Sequence, residues 1–463
     1  MAVEKKEKKD KSVGMDKVAG KESKLIGISL MGFKSILNKQ VSSISPLTIF
    51  SGANSSGKSS FTQVLLLLKQ TLQCSYDPGT IMLNGPNVRM TSTEQIFSKD
   101  LSGKSKRNFT IEFLFSDRSA ISVTYGFSLK EPSGLSIKNI RHVNRQGKSS
   151  IISLNSKKEK IIDFIGLDNE FHKTIYSKVT DDKTGSIIVK RSRCFFDVEV
   201  SFSFDSSDDR RMRFGLSSEI IDKVRECLQN LIHVPGLRGN PERTYTTTAV
   251  GDSFPGRFEN YVASIILEWQ RSNDPNLRRL ISDLFDLGLT SGISARKIND
   301  TEVELRVSRI KCDVDSQITP DVSIADVGFG VSQALPVLVS LLVAAKGQMV
   351  LIEQPELHLH PRAQSKLSEI IARAVKRGVT VVIETHSNIL ILGIQTLVAA
   401  NKLTPSDVGL NWFSINDGGI TTISKGSLDR LGAFGEWPTD FMETSLYAED
   451  AYLSAIENRL MSE

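Results

Sequence analysis

Three observations predict an α/β protein with a parallel sheet covered on both faces and interrupted by a β-rich and helical insertion. Leu47 to Phe50 is a short apolar strand that runs into a Gly/Ser-rich turn and then the apolar helix Phe61 to Leu72. From residue 320 onward, helical and strand-like apolar segments alternate, the pattern of a sheet buried on both faces. Between these parts, residues 99–216 alternate polar and apolar positions in short pieces separated by Lys, Ser, Gly and Asp clusters.

The elements follow in order. Residues 1–24 read as a disordered basic arm, with eight lysines against five acids and few apolar residues. Residues 25–98 form an N-terminal lobe, with strands at Leu25 to Leu30 and Leu47 to Phe50 and the helix behind the loop. The β-rich insertion occupies 99–216, with strands such as Phe109 to Phe113 and Val198 to Phe202. A helical subdomain follows at 217–319, where Ile220, Val224, Cys227 and Leu228 share one helical face. The C-terminal lobe spans 320–425. It holds a helix at 331–345, a strand at Met349 to Ile352, a helix at 362–377, a strand at Val379 to Ile383, and a hairpin of Val408 to Ile415 with Ile420 to Ile423. Residues 426–463 are a tail. No internal repeat or sustained heptad pattern is present.

Composition is that of a globular protein, with 463 residues, 40% apolar and 24% charged, which excludes disordered, collagen-like and disulfide-stapled classes. The net charge of +5 is local. Residues 101–160 carry twelve Lys/Arg against four Asp/Glu, so the chain outside the arm and this stretch is acidic. Two readings stand for that stretch: it tracks a DNA or RNA backbone, or its lysines guard exposed strand edges. The four cysteines, Cys74, Cys194, Cys227 and Cys312, show no CxxC pairing. A reducing cytoplasm is the expected compartment, and no apolar run is long enough to suggest a membrane partner.

Gly52-Ala53-Asn54-Ser55-Ser56-Gly57-Lys58-Ser59 matches the phosphate-binding pattern G-x-x-x-x-G-K-[ST] in full, after a predicted strand and before a predicted helix. Its glycines let backbone N–H groups approach phosphate oxygens, and the helix N-terminus adds partial positive charge. Asn54, Ser55, Ser56, Gly57, Lys58, Ser59 and Ser60 are the candidate binding residues. Lys58 is placed to reach the β- and γ-phosphates of ATP, and Ser59 to ligate Mg²⁺.

A second constellation is the apolar strand Val350-Leu351-Ile352 that ends in Glu353-Gln354-Pro355-Glu356 and continues to His358-Leu359-His360-Pro361. A carboxylate leaving a buried strand needs a cation, so Glu353 and Ser59 are the expected Mg²⁺ ligands. The next strand ends in Glu384-Thr385-His386-Ser387, which puts His386 at the carboxyl edge of the sheet, where open α/β sheets bind ligands.

With Gly328-Phe329-Gly330-Val331-Ser332-Gln333 leading into an apolar helix, the set resembles the ABC-type ATPase superfamily: phosphate loop, signature turn, Walker B strand, D-loop and switch histidine, in that order. The resemblance implies an ATPase head with a mixed central sheet flanked by helices. It also implies nucleotide contacts from Gly330, Ser332 and Gln333 across a homodimer or higher homo-oligomer, and makes His386 the switch histidine; among the candidate catalytic residues Glu353 holds Mg²⁺, Gln354 positions water, and Glu356 is an acid without an assigned role. Glu-Gln-Pro-Glu with His-Leu-His-Pro, the segment His233 to Tyr245 containing Arg238 and Arg243, and the tail Leu431 to Phe441 resemble a bacterial family of ABC-type ATPases of anti-phage defence operons, the Septu ATPase subunits among them. That likeness implies a separately encoded HNH-type nuclease effector.

Gln354 stands where superfamily members commonly carry a second acid. An amide orients water but accepts a proton poorly, so slow turnover is predicted, and an ATP-dependent scaffold without hydrolysis is the alternative. A DNA-repair ATPase of the SMC class is a further alternative, against which stands the absence of a heptad arm between Lys58 and Val331. No nuclease centre is visible in the chain. Arg238 and Arg243 face the nucleotide or the dimer partner, or are a solvated pair. His358 and His360 lack a partner at zinc spacing and read as subunit-contact or structural residues.

Overall fold

The structure is a computed structural model. It describes residues 23–100, 102–131, 134–166, 185–203, 211–308, 322–435, 450, 453–456 and 459. Most of the expected arm, Cys312 and the tail from Glu436 to Phe441 lie outside these residues.

In chain order, β1 (Leu25–Met31) and β2 (Gln40–Ser43) precede β3 (Leu47–Gly52), which enters the phosphate loop and helix α1 (Lys58–Gln73). Next come β4 (Asn108–Phe115), β5 (Ala120–Phe127), β6 (Leu135–Val143), β7 (Ser149–Ile152) and α2 (Lys158–Ile165). A three-strand meander follows, β8 (Gly185–Ser192), β9 (Phe195–Ser203) and β10 (Arg211–Leu216). The chain continues through α3 (Glu219–Gln229), β11 (Ile232–Val234), β12 (Tyr245–Thr246), α4 (Val262–Ser272), α5 (Pro275–Asp286), β13 (Ile293–Lys297), β14 (Glu302–Val307) and β15 (Val322–Ser323). The last part comprises α6 (Phe329–Val343), β16 (Met349–Glu353), α7 (Pro361–Lys376), β17 (Thr380–Glu384), α8 (Asn388–Ala399), β18 (Val408–Ile415) and β19 (Thr421–Gly426).

The central sheet has the order β11-β16-β17-β3-β18-β19. Its first five strands run parallel and β19 closes the edge antiparallel. The fold is therefore mixed α/β, with a central sheet flanked by helices. Because side chains alternate faces along a strand, each central strand feeds two cores. Val350 and Ile352 of β16, Ile383 of β17 and Ile49 of β3 pack with Leu338 of α6, Ile371 of α7 and Ile394 of α8 on one face. Leu351, Val382, Phe50 and Phe413 pack on the other face with Phe61, Leu65 and Leu68 of α1. Each such side chain contributes about 1.5–3 kcal/mol by leaving water, so the sheet is firmly held where its carboxyl ends carry polar groups.

The antiparallel sheet β2-β1-β4-β5-β6-β7 crosses the expected boundary at residue 98, because β1 pairs with β4 from Leu25↔Phe115 to Met31↔Thr110. The expected helical stretch 217–319 contains α3, α4 and α5, but also β11, the far edge of the central sheet, and a β13–β14 hairpin. Three-residue β11 is too short to show periodicity, and only its parallel pairing with Val350 to Ile352 makes it a strand.

Candidate functional site

The phosphate loop leaves β3 at Gly52 with φ 143° and enters α1 at Gly57 with φ 102°. A Cβ on Gly52 would lie 2.0 Å from the Phe413 carbonyl oxygen, and one on Gly57 would lie 2.3 Å from Thr421 Oγ1, so both positions exclude a side chain. Gly52→Ala is expected to destabilise the fold by about 4 kcal/mol or more, read as a lowered denaturant midpoint. Thr421 Oγ1 lies 2.8 Å from both the Ser56 carbonyl and the Ser35 hydroxyl. Since a carbonyl only accepts, the Thr421 hydroxyl donates to Ser56, which ties the loop to β19.

Lys58 is 4% exposed, and its Nζ donates to the carbonyls of Gly52 (3.0 Å) and Ala53 (2.7 Å). Burial holds its pKa below the ordinary lysine value, with Glu384 opposing. Asn54, Ser55 and Ser59 are exposed, Ser60 is half-buried and Ser56 is buried. Ser55 adopts φ 62°, and no side chain caps the N-terminus of α1. The first N–H groups of α1 thus have no side-chain acceptor at the cap.

Three acids converge on this loop from the ends of β16 and β17. The carboxylate bonded to Ser59 Oγ is Glu384 Oε1, at 3.1 Å. Glu384 is 5% exposed, and burial, with the charge of Glu353 next, raises its carboxyl to about 7. Glu353 lies in register with Glu384 across the two strands. Its Oε1 is 3.2 Å from His233 Nε2, and its Oε2 accepts from the Gly236 N–H at 3.1 Å. Burial pushes Glu353 up, but His233, the Gly236 N–H and Arg238 outweigh it and hold the carboxyl below its ordinary value. Glu356 Oε1 accepts from Thr385 Oγ1 at 2.8 Å and from the backbone N–H of His386 at 3.0 Å. The ring of His386 is exposed at this edge, and burial of part of it, with Lys58 nearby, lowers its pKa.

Gln354 has φ 44°, a left-handed conformation that costs a non-glycine residue strain, and its N–H donates to the Glu384 carbonyl at 2.7 Å. Arg238, 8% exposed, braces this strand end: it donates to the carbonyls of Glu353 (2.8 Å), Gln354 (3.1 Å) and Gln333 (3.1 Å). Gln333 Nε2 returns a bond to the Gly239 carbonyl at 3.0 Å, so this side chain serves the interior. Ser332 Oγ donates to the Phe329 carbonyl, and Gly330 sits beside Leu289 and His358. Arg243 pairs with Asp326 at 2.8 Å on the surface. His360 caps α7 through the Arg362 N–H, and His358, with φ 63°, lies 6.0 Å from the Phe329 ring. A cavity of about 450 Å³ opens beside Arg238, between Tyr245, Glu259, Tyr261 and Pro336; its lining includes no residue of the phosphate loop.

Sequence reading missed Glu384, Thr385 and His233. The available signal for Glu384 was its place at the end of a buried strand adjoining His386. His233 gave none, because its contact with Glu353 spans 120 residues.

The donor set fits ATP with Mg²⁺. Ser59 offers a hydroxyl, and one oxygen each of Glu384 and Glu356 is buried with no hydrogen-bond partner among the described residues. Burial first, then the charges of Glu353 and Glu356, raise Glu384 against the opposing Lys58 and Ser59, so a cation beside it would be favoured. Among the described residues no cluster of three or more His, Cys, Asp or Glu could hold a metal ion. Among the described residues no helix is long and apolar enough to cross a membrane.

No curated protein matches the chain. Among solved structures, an SMC head bound to the C-terminal winged-helix domain of ScpA is similar at 14% identity and TM-score 0.41, over 88% of this chain and 98% of that one. The SMC head domain from Thermotoga maritima is similar at 11% identity and TM-score 0.37, over 87% of this chain and 98% of that one. An SMC head with an extended coiled coil, bound to the C-terminal domain of ScpA and derived from Pyrococcus furiosus, is similar at 13% identity and TM-score 0.40, over 88% and 97%. The family described as "AAA domain, putative AbiEii toxin, Type IV TA system" matches residues 47–392, from the phosphate-loop strand to the helix after His386. The chain belongs to this AAA-domain, AbiEii-like family of ATPases.

Proposed function

We propose that the chain binds ATP with Mg²⁺ between the loop 52–59 and the ends of β16 and β17, hydrolyses it slowly, and uses the ATP-bound state to control a separately encoded nuclease in anti-phage defence. The observation that carries this reading is the contact of Ser59 with Glu384, beside acids of which two, Glu384 and Glu356, keep a buried oxygen without a hydrogen-bond partner among the described residues. Ser59, with Glu353 and Glu384 at the adjoining strand ends, would hold Mg²⁺, which when bound would supply positive charge against the phosphates.

The chain's own residues supply the rest. Lys58 exchanges the carbonyls of Gly52 and Ala53 for phosphate. Glu384 provides the proton-accepting carboxylate that Gln354 cannot, from the neighbouring strand, and Gln354 orients water. Glu356 fixes the turn that carries His386 through Thr385 and the His386 N–H. A base reached from a second strand, tied to Ser59, supports slow turnover. Membership of a family of AAA domains described as putative AbiEii toxins of Type IV TA systems supports a role in bacterial conflict, and the motifs of 353–361 and 233–245 support the Septu-like assignment with an HNH-type partner. ATP sandwiched by Gly330 and Ser332 of a second copy would supply the homodimer. The basic stretch 101–160 is the candidate surface for DNA or RNA.

The test is ATP turnover of the full chain alone, with duplex DNA, and with the product of the adjoining reading frame. Turnover below the ~10 s⁻¹ typical of enzymes, together with ATP-dependent control of a partner nuclease, is expected. Turnover of hundreds per second would contradict slow gating. ATP binding with no hydrolysis under any condition would favour the scaffold.

A further inference from the structure

We propose that the half-buried Asn87 and the buried His233 form a positioning pair that fixes the histidine tautomer and thereby holds the Glu353 carboxylate in one orientation. This rests on the reading of Glu353 as part of the nucleotide site.

His233 lies on the edge strand β11, opposite Leu351 of β16, and is 3% exposed. Its Nδ1 is 3.1 Å from Asn87 Nδ2, and its Nε2 is 3.2 Å from Glu353 Oε1. The Asn87 amide group also lies 3.1 Å from the Gly256 carbonyl, through Nδ2. A carbonyl can only accept, so the amide nitrogen, not its oxygen, must stand between Gly256 and His233. Nδ1 of His233 is then an acceptor, and the proton of the neutral ring sits on Nε2, aimed at the carboxylate. Gly236 donates to the second carboxylate oxygen, so each oxygen of Glu353 has one dedicated donor.

The bracket behind Asn87 is anchored in α1, the helix that begins at the phosphate loop. Gln70 Oε1 accepts from the N–H groups of Asn87 (3.2 Å) and Val88 (2.9 Å). Gln73 Oε1 accepts from the Gly256 N–H at 3.3 Å and from Lys69 Nζ at 2.7 Å, and Lys69 also holds the Phe254 carbonyl at 3.1 Å. Lys69 is fully buried with no acidic partner among these contacts, a costly placement for a lysine. Its two acceptors place Gln73 and the 254–256 turn, and these place Asn87 and Gly256 around the imidazole. The fold thus sets the spacing between phosphate loop and Glu353 through one connected hydrogen-bond chain, in the manner of groups that orient metal-site ligands from behind.

The experiment uses the full chain with ¹⁵N-labelled histidine, six in all, and assigns His233 by the loss of its signal in His233→Gln. In the nucleotide-free protein Nδ1 is expected to resonate as a bare, acceptor nitrogen and Nε2 as a protonated one, and Asn87→Ala is expected to reduce that preference. In parallel, His233→Ala should raise the Mg²⁺ concentration for half-maximal ATP turnover about 10- to 100-fold. His233→Gln, whose amide N–H can donate to the same carboxylate, should recover most of it. A protonated Nδ1 in the wild type, or a His233→Gln variant no better than His233→Ala, overturns the proposal. A chain that never hydrolyses ATP would sink the functional reading, while the tautomer measurement would still decide this one.

Discussion

Glu384→Gln is expected to lower ATP turnover by at least about a hundredfold while ATP binding persists, because the amide keeps the shape and the contact to Ser59 but accepts no proton. The same substitution carries a stability signature. Burial and the neighbouring acids lift the Glu384 carboxyl to about 7 from 4.5. The folded state therefore binds more protons than the unfolded state between these values, so the contribution of this group is fully present below about 4.5 and is lost as pH rises through 7. The loss amounts to about 3 kcal/mol at most. Without nucleotide or Mg²⁺, Glu384→Gln should be no more stable than the wild type at pH 4.5 and more stable at pH 8, measured by thermal denaturation across that range. Wild-type turnover in the variant, or a stability difference that does not change with pH, would remove Glu384 from the proposed role.

Lys58→Ala is expected to abolish the stabilisation that ATP confers. A ligand held at a hundred times its Kd stabilises the native state by about 2.7 kcal/mol, which appears as a rise in Tm. In the nucleotide-free protein the ammonium is buried against two backbone carbonyls with its pKa depressed, so removing it relieves desolvation as it frees the carbonyls. The variant should thus fold with a Tm close to the wild type and show no shift with ATP. An undiminished ATP shift would mean that nucleotide binds elsewhere. A Tm that collapses without ATP would show that Lys58 is chiefly a structural strut, in contrast to Gly52, whose substitution is expected to act on the fold itself.

Legibility in the sequence followed the range of the interactions involved. The strand–loop–helix unit at 47–73 was legible because its demands are local: Gly52 and Gly57 adopt backbone conformations that follow from the pattern around them, and the flanking strand and helix show their own periodicity. The hairpin at 408–426 and the strand ending in Glu353 were legible for the same reason. The pairing of β1 with β4 and of β11 with β16 was not, since it depends on partners far along the chain and leaves little periodicity in segments as short as β11.

The site divides along the same line. By itself the sequence determined that a strand, a glycine loop carrying Lys58 and Ser59, and a helix would follow one another, and that a strand would end in Glu353. Only the tertiary structure decided which acid meets Ser59. Parallel pairing of β16 with β17 sets Glu353 beside Glu384, and the placement of β17 next to β3 brings Glu384, 325 residues from Ser59 in the chain, within 3.1 Å of its hydroxyl. The pKa of that carboxyl, the strain at Gln354 and the tautomer of His233 all arise from groups gathered at the sheet edge, because desolvation and charge act through space rather than along the chain.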